Sequence, residues 1–287
     1  MTVAVLYVTA TPIGNLQDFS PRGIETLKKA DLIIAEDTRV TMKLGQVFGF
    51  HTRMVSCHRH NEENKASGLA EEILRENLTA ALVTDAGTPC ISDPGNEVVQ
   101  ACILKGIPVI PVPGCCAGVA ALSVSGYDTR EFAFFGFLPR EKKDLKERLM
   151  EIAQKTPVAV LHESPFRIID LTETIAEILP DIRMTVCCDL TKMHEKTLYG
   201  TPGEVLIKLK SNEKTEKGEY CIVLDLHEHD IAEAEQVIPD ISMEAKLADE
   251  ISRGLTLREA QDNLIRNGEK KNAVKKAALK IKKAVEG

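Results

Sequence analysis

The chain of 287 residues contains no long apolar run and nothing that resembles a leader. No window approaches the roughly eighteen consecutive apolar residues that indicate a membrane-spanning helix, so we expect no membrane span. The first residues, MTVAVLYVTATP, lack the basic region that begins a signal peptide, and we expect them to enter a buried strand. Hydrophobic residues make up 44% of the chain and charged residues 28%. This composition is typical of soluble globular proteins, and the length allows two domains plus an extension.

Cysteine occurs eight times but never as a C-x-x-C pair. Cys115–Cys116 and Cys187–Cys188 are adjacent in sequence, and adjacent cysteines do not form ordinary bridges. Scattered small thiols are common in reducing compartments, so we expect a cytoplasmic protein. Two groups of possible zinc ligands lack the remaining ligands of a site, and we predict no metal for either: Cys57, His58 and His60, and His227 with His229.

The sequence also lacks the glycine-rich loops that bind phosphate groups, since neither G-x-G-x-x-G nor G-x-x-x-x-G-K-[ST] occurs. The loops after the predicted strands instead carry small residues and the acids Glu36, Asp37, Asp85 and Asp93. Carboxylates and carbonyls stabilise a cation, so these loops suit a ligand with an adenosine-like body and a positive reactive centre, such as a sulfonium. The stretch TDAGTPCISDPG is equally compatible with a plain glycine–proline turn, and composition alone does not separate these interpretations.

Strands and helices alternate over residues 1–126, which predicts an N-terminal α/β domain with a mostly parallel sheet. Ligands of such sheets bind beyond the carboxyl ends of the strands, where TATPIGN, AEDTR, TDAGTPCISDPG and PVPGCCAG fall. A second α/β domain is predicted at 127–226, an acidic linker at 227–250 and a basic helical extension at 251–287. The predicted fold class is therefore α/β, with two domains and a small C-terminal helical extension.

Charge is distributed unevenly along the chain, whose formal net charge is −7. From Ser252 to Gly287 there are ten Lys/Arg and four Asp/Glu, a local charge of +6, and the remaining residues carry −13. A basic tail on an acidic body suggests contact with a polyanion, and a solvated surface helix explains the same pattern. If the tail binds RNA, Lys270, Lys271, Lys275 and Lys276 are the expected contacts.

Six motifs occur in order between residues 8 and 195: VTATPIGN, TDAGTPCISDPG, IPVIPVPG, FFGFLP, HESPFR and LTKMHE. Together they resemble the small-subunit ribosomal RNA methyltransferases of the tetrapyrrole methylase (class III) superfamily, which depend on S-adenosylmethionine. The resemblance implies two α/β domains of the tetrapyrrole methylase type, with the cofactor in a cleft between them, and a homodimer. It also implies methyl transfer to the ribose 2′-hydroxyl of a cytidine in the decoding region, on small-subunit rRNA or on the assembled small ribosomal subunit.

The resemblance also assigns residues to the cofactor. In the superfamily the loop that matches 85–94 contacts the cofactor largely through its main chain, which favours small side chains there. Where the family usually has proline and serine, this chain has Cys115 and Cys116. This departure removes a possible hydroxyl contact, although a main-chain contact at Cys116 would remain. The predicted cofactor residues are Ile13, Gly14, Asp85, Ala86, Gly87, Thr88, Pro89, Ser92, Asp93, Pro113, Gly114, Cys116, Ala117, Leu161, Pro202 and Gly203.

A ribose hydroxyl is a poor nucleophile at neutral pH, so alignment must supply much of the rate, on the order of 7–11 kcal/mol. A general base would add roughly 10²–10⁴-fold. The candidate bases are Glu36, Asp37, Glu163, His194 and Glu195. Arg39, Arg167 and Lys192 are candidates for holding phosphate or ribose. Each of these residues would equally serve as a salt-bridge partner or a helix cap, and the sequence does not choose among them.

Two other functions remain open at this point. The chain could methylate a small tetrapyrrole or a protein side chain, although the basic tail and the ATPIGN start argue against it. It could also be a ribosome-assembly factor that binds RNA without catalysis. That factor would show no thermal shift with S-adenosylmethionine.

Overall fold

The computed structural model describes residues 4–212, 215–227, 242–267 and 269–286. The chain divides into two units, residues 1–229 and 230–287. The first unit contains two five-stranded sheets, and the described part of the second contains helices. No helix in the described ranges combines the length and apolarity needed to cross a membrane.

The first sheet has the strand order β3-β2-β4-β1-β5, and every pair is parallel. Its strands are β1 (Val5–Thr9), β2 (Leu32–Ala35), β3 (Arg53–Ser56), β4 (Thr79–Val83) and β5 (Val109–Val112). The helices that follow them are α1 (Pro21–Lys29), α2 (Thr38–Phe48), α3 (Glu62–Arg75), α4 (Asn96–Leu104) and α5 (Ala117–Ser125). Alternate residues of β2 pack into separate cores on the two faces, Leu32 and Ile34 on one and Ile33 on the other. The predicted parallel sheet, covered on both faces, is present.

Capping residues set the ends of several helices. Ser20 accepts a hydrogen bond from Gly23 N at the start of α1, where Pro21 occupies the first turn. Asp37 caps α2 in the same way, and Gly49 ends that helix in the left-handed region at φ 74°. The sequence pattern did not predict α2 or β3. β3 is short and lies at the edge of the sheet, with an exposed first residue, so it lacks a clear apolar signal.

The second sheet has the order β6-β7-β10-β8-β9, and only β6 and β7 pair in parallel. Its strands are β6 (Ala133–Gly136), β7 (Val158–Glu163), β8 (Arg183–Cys188), β9 (Lys196–Gly200) and β10 (Tyr220–Asp225). Three helices accompany it: α6 (Lys142–Lys155), α7 (Ile168–Ile178) and α8 (Pro202–Lys210). The edge strand β9 was not predicted. Alternating residues of β7 define the two faces, since Leu161 packs in the larger core while Val160 packs in the smaller one.

The smaller core joins α5 to the second sheet. Ala121 and Leu122 of α5 pack against Val160, Cys187 and Cys221. The predicted boundary at 126/127 coincides with Gly126, the residue that ends α5 at φ 75°. By packing, however, α5 belongs with the sheet that follows it in sequence. The two sheets of the first unit are therefore linked by a shared helix that begins directly after the loop 113–116.

The second unit contains α9 (Met243–Ser252), α10 (Leu257–Arg266) and α11 (Lys271–Glu286). Its core is formed by Leu247, Ala260, Val274 and neighbouring apolar residues. Helix α9 begins inside the segment 227–250 that was predicted to be linker, because Ser242 accepts a hydrogen bond from Ala245 N and starts the helix. The basic segment is helical as expected, and it shares its core with this additional helix.

Candidate active site

Main-chain hydrogen bonds join the loops at the carboxyl ends of β1 and β4. Thr11 N donates to Gly87 O at 2.8 Å, and Gly87 N donates to Thr11 O at 3.1 Å. Gly87 has φ 87°, a conformation that side chains disfavour. Thr88 Oγ1 donates to Cys115 O at 2.9 Å and so attaches the loop after β5 as well. The small residues of this edge therefore allow three loops to meet through their backbones.

Carboxylates lie along the other side of the loop after β4. Thr84 Oγ1 donates to Glu36 Oε2 at 2.6 Å, and Asp37 N donates to Asp85 Oδ1 at 3.1 Å. Burial, together with the nearby Glu36 charge, raises the pKa of Asp93 to about 6. Burial is also the main cause that raises the pKa of Asp85. Acids that the sequence placed at separate strand ends are thus assembled into one cluster.

The loop 84–95 has a strained conformation, and a buried carboxylate supports its end. Cys90 and Ser92 both have φ 69°, which costs a non-glycine residue roughly 1–3 kcal/mol. At the end of the loop, Glu62 Oε1 accepts hydrogen bonds from Gly95 N at 2.7 Å and from Glu97 N at 2.9 Å. Glu62 is only 5% exposed. This buried carboxylate supplies the cap that α4 lacks from its own N-cap residue, Gly95.

A first cavity of about 310 Å³ lies where these loops meet the second sheet. Among its described lining residues are two carboxylates, Glu163 and Glu219, and no lysine or arginine. Two predicted cofactor residues line it, Ile13 and Ala117. The other lining residues come from beyond β5: Phe137, His162, Glu163, Ser164, Pro165, Leu190, Glu219, Tyr220 and Cys221.

His162 is the most informative residue of the first cavity. Its Nε2 atom is buried and has no hydrogen-bond partner among the described residues. Burial lowers the pKa of His162, so the ring is neutral near pH 7. The rings of Phe134 and Phe137 lie edge-on to it, with centroids at 5.1 and 5.9 Å. A buried, unpaired polar atom beside these rings is available to hydrogen-bond a ligand.

Glu163 lies beside His162 with a fully buried side chain. Its Oε1 accepts a hydrogen bond from Ser164 N at 2.7 Å, while Oε2 has no hydrogen-bond partner among the described residues. Arg167 Nη2 lies 3.4 Å from Oε2, which pairs the charges without forming a hydrogen bond. Arg167 also donates to Pro139 O at 2.9 Å. The candidates Glu163 and Arg167 are therefore brought together, and Glu163 contributes negative charge to the cavity wall.

A second cavity of about 620 Å³ borders the first. Phe137 lines both cavities. Glu36, Ser92 and Asp93 line the second cavity, so two residues predicted to contact the cofactor lie here instead of in the first cavity. The remaining lining residues are His58, Arg59, His60, Pro94, Phe134, Phe135 and Gly136. Nothing in the sequence motifs assigned His58, Arg59, His60 or the aromatic strand β6 to the site.

Gly14 and Lys192 meet where the first loop touches the second sheet. An added Cβ at Gly14 would lie 2.6 Å from Lys192 Cγ, so glycine is required for this approach. Asn15 N donates to Thr191 Oγ1 at 3.1 Å, and Glu195 Oε2 accepts from Thr191 N at 3.0 Å. Lys192 is paired with Glu219 at 3.0 Å. We call the first sheet with its helices the first lobe, and the second sheet with its helices the second lobe. Lys192 and Glu195 thus stabilise the turn at which the two lobes meet.

Other predicted residues lie away from the cavity linings. Asp37 and Arg39 form an exposed ion pair at 2.6 Å, whose guanidinium keeps the pKa of Asp37 at about 2. Leu161 is fully buried in the core on the far face of β7, so its neighbour His162 supplies the cavity side chain. Pro202 and Gly203 begin α8 and line neither cavity. Their roles at the cofactor stay predictions, as do those of Asp85, Ala86, Gly87, Thr88, Pro89, Pro113, Gly114 and Cys116.

Metal ligands do not assemble in the part of the chain that the structure describes. The rings of His58 and His60 are 6.1 Å apart, and His58 Nε2 lies 3.0 Å from Asn61 Nδ2. His229 lies outside the described residues, so the second histidine pair is not placed.

The first cavity fits the cofactor that the sequence motifs imply. Its aromatic and aliphatic wall suits an adenosine, and His162 Nε2 is available for a polar contact. Glu163 and Glu219 place carboxylates in the wall, and their partners Arg167 and Lys192 lie outside the described lining, which therefore has no cation that would repel a sulfonium.

Comparison with known proteins gives the same assignment. Residues 5–206 match the family model described as Tetrapyrrole (Corrin/Porphyrin) Methylases. The chain is 45% identical to ribosomal RNA small subunit methyltransferase I of Halalkalibacterium halodurans, over 77% of this chain and 75% of that one. It is 39% identical to the protein of that name from Escherichia coli O157:H7, over 96% of this chain and 94% of that one.

Solved structures share the fold at lower identity. Diphthine synthase superposes with a TM-score of 0.59 at 14% identity, covering 77% of this chain and 89% of that one. Uroporphyrin-III-C-methyltransferase from Thermus thermophilus superposes at 0.53 with 18% identity, covering 78% and 96%. The fold class and the family predicted from the motifs are confirmed. The chain belongs to the tetrapyrrole methylase family of S-adenosylmethionine-dependent methyltransferases.

Proposed function

We propose that this chain methylates small-subunit ribosomal RNA, at the ribose 2′-hydroxyl of a cytidine in the decoding region. The observation that carries the proposal is the 39% identity, over 96% of the chain, to a protein named ribosomal RNA small subunit methyltransferase I. That coverage reaches beyond the residues 5–206 of the family model and includes most of the basic C-terminal helices.

The proposed chemistry is an in-line displacement in which alignment matters most. When bound, S-adenosylmethionine supplies a methyl group whose bond to sulfur breaks as the bond to the ribose oxygen forms, and the electron pair stays on sulfur. Glu163 and Glu219, which are paired with Arg167 and Lys192 outside the described lining, would contribute to binding of the sulfonium and not to the rate of the displacement, in which its charge disperses. The hydrogen bonds among the loops at Thr11, Gly87 and Cys115 hold the neighbouring residues Ile13 and Ala117, which line the first cavity, and so limit misalignment.

The basic helix α11, together with Lys270 immediately before it, supplies the proposed RNA contacts. Lys270, Lys271, Lys275 and Lys276 are all exposed. Val274, between them in sequence, is fully buried in the core of the second unit. The lysines are therefore presented to solvent by a helix whose apolar side is already packed in the core of the second unit.

We further propose that the protein acts as a homodimer in the cytoplasm, which light scattering and cell fractionation would test.

The test uses small ribosomal subunits from cells without the gene. Purified protein and radiolabelled S-adenosylmethionine should transfer label to the 16S-type RNA, and mapping should place a 2′-O-methyl group on one cytidine. Naked rRNA as a parallel substrate would show whether the assembled subunit is required. Label on a tetrapyrrole or on protein, with none on RNA, would favour the small-molecule or protein methyltransferase alternative.

Cofactor binding separates catalysis from simple RNA binding. At about 100 times its Kd, S-adenosylmethionine should stabilise the protein by roughly 2.7 kcal/mol. This stabilisation is visible as a thermal shift. A protein that binds small subunits but shows neither the shift nor methyl transfer would be a non-catalytic assembly factor.

A further inference from the structure

The second cavity combines three kinds of lining that a nucleotide requires. Its lining includes the carboxylates of Glu36 and Asp93 and the nitrogen groups of Arg59 and His60. The rings of Phe134 and Phe137 supply aromatic surface. In RNA recognition, unstacked bases pack on aromatic rings while cationic side chains contact phosphate.

The two cavities meet at an aromatic side chain. Phe137 lines both of them and is 60% exposed. Phe134 of the second cavity lies edge-on to His162 of the first, with ring centroids 5.1 Å apart. A ligand in the second cavity would therefore border a cofactor in the first. In-line transfer requires the ribose oxygen to contact the methyl carbon directly, so the two ligands must meet at the boundary beside Phe137.

The arginine of the second cavity is held in place. Arg59 Nη2 donates a hydrogen bond to Ser92 O at 2.7 Å, which ties the loop after β3 to the loop after β4. Ser92 is in turn close to β6, since an added Cβ at Gly136 would lie 3.3 Å from Ser92 Oγ. The cavity is thus built from both lobes.

Building on the proposed function, we propose that the second cavity binds the acceptor nucleotide, with Phe137 against its base, Arg59 at its phosphate and Asp93 accepting the proton of the ribose hydroxyl. The hydroxyl oxygen gains the methyl group, and its proton passes to the Asp93 carboxylate and then to water. The sulfur leaves as a neutral thioether. No other reactant is needed.

The surroundings of Asp93 suit a proton acceptor. Burial and the Glu36 charge raise the pKa of Asp93 to about 6, close to neutral pH, where a general base is most effective. Arg59 lowers this pKa and Asp85 raises it, each with a smaller effect than burial. His58 and His60 are the other titratable groups that line the cavity.

Two substitutions test the assignment in the full-length protein, with small ribosomal subunits as substrate. Asp93→Asn should lower kcat about 100-fold or more while the Kd for S-adenosylmethionine is unchanged. In the wild type, kcat should rise with pH through an apparent pKa near 6, because the carboxylate must be ionised, and Asp93→Asn should lose this dependence. A merely structural role would not remove the pH dependence.

Arg59→Gln should raise KM for the subunit roughly 3- to 10-fold and flatten the log–log salt dependence by about 0.7–0.9, again without weakening the cofactor. Asp181→Asn and Arg22→Gln remove the same charges at exposed positions outside both cavities and serve as matched controls. If both test variants keep wild-type kcat, KM and pH profile, the second cavity is not the acceptor site. If the wild type itself fails to methylate subunits, the proposed function is wrong, and so is the assignment of a nucleotide to the second cavity.

Discussion

Around the first cavity, the loops of the first sheet are joined by main-chain hydrogen bonds, whereas the second sheet and its loops supply most of the lining side chains. Thr11 and Gly87 exchange backbone hydrogen bonds, while Phe137 and His162 present whole rings. A backbone-built wall requires small residues and unusual φ angles, but it offers little with which to distinguish ligands. A side-chain wall can do so. The comparison predicts that the loops of the first sheet fix the geometry of the first cavity, while the side chains of the second sheet decide which ligand that cavity accepts.

The strongest test of the backbone-built wall is Gly87→Val. At φ 87° a branched side chain is strained, and the relaxation that relieves it would break the pair of hydrogen bonds to Thr11, for a total of about 2–4 kcal/mol. We expect the affinity for S-adenosylmethionine, measured by calorimetry, to fall at least tenfold. Gly106→Val is the matched control, since Gly106 has φ 71° and open space around it. Equal cofactor affinity in the two variants would contradict a positioning role for Gly87.

Glu62→Ala tests the buried carboxylate that supports the loop 84–95. The substitution leaves Gly95 N and Glu97 N without their charged acceptor, and we expect the free energy of unfolding to fall by about 2–3 kcal/mol. Urea denaturation measures this loss. The exposed neighbour Glu63 provides the control, because Glu63→Ala should change stability by no more than about 0.5 kcal/mol. A similar effect from both substitutions would show that the buried carboxylate does not support the loop.

The side-chain wall is tested by His162→Phe, which keeps a ring beside Phe134 but removes the unpaired nitrogen. If Nε2 contacts the cofactor, its removal should cost about 1–1.5 kcal/mol, or roughly tenfold in Kd. His51→Phe makes the same exchange at an exposed position. Unchanged affinity in His162→Phe would exclude Nε2 as a ligand contact. The side-chain wall would then select its ligand by shape alone.

Much of this division between the lobes could be predicted from sequence, because the strand-end motifs are local. A parallel sheet brings the carboxyl ends of its strands to one edge, so TDAGTPCISDPG was placed correctly beside the loops after β1 and β5. The second cavity could not be predicted, since it depends on how β6 meets the loop that contains Ser92. Leu161 shows why the sequence could not identify the side chain of β7 that lines the first cavity. All of β7 before His162 is buried on both faces, so the sequence shows no alternation that would tell which side chain faces the cleft.

A smaller effect is expected from Asp93→Asn on stability. The pKa of Asp93 is about 6 in the folded protein, above its ordinary value of 3.8, so the folded state holds this proton more tightly. The stability that the folded protein gains from binding this proton is fully present below about pH 4 and is lost as the pH rises through about 6. Allowing for partial exposure, Asp93→Asn should therefore be more stable than the wild type at pH 7.5 by about 1–2 kcal/mol. Urea titrations at pH 4 and pH 7.5 check this, and a gain that does not shrink at low pH would exclude the linkage.

The smallest effects per residue are expected in the C-terminal unit, which carries charge and whose described residues line neither cavity. Substituting Lys270, Lys271, Lys275 and Lys276 with glutamine should flatten the log–log salt dependence of RNA affinity by about 0.7–0.9 for each phosphate that is no longer neutralised. Arginine at the same four positions preserves the charge and should preserve the slope. Neither set should alter the Kd for S-adenosylmethionine, because the cofactor cavity is lined by residues of the first unit. If glutamine leaves both affinity and slope unchanged, the basic face of α11 is a solvated surface, and RNA must be held by the first unit, where Arg59 is the first residue to test.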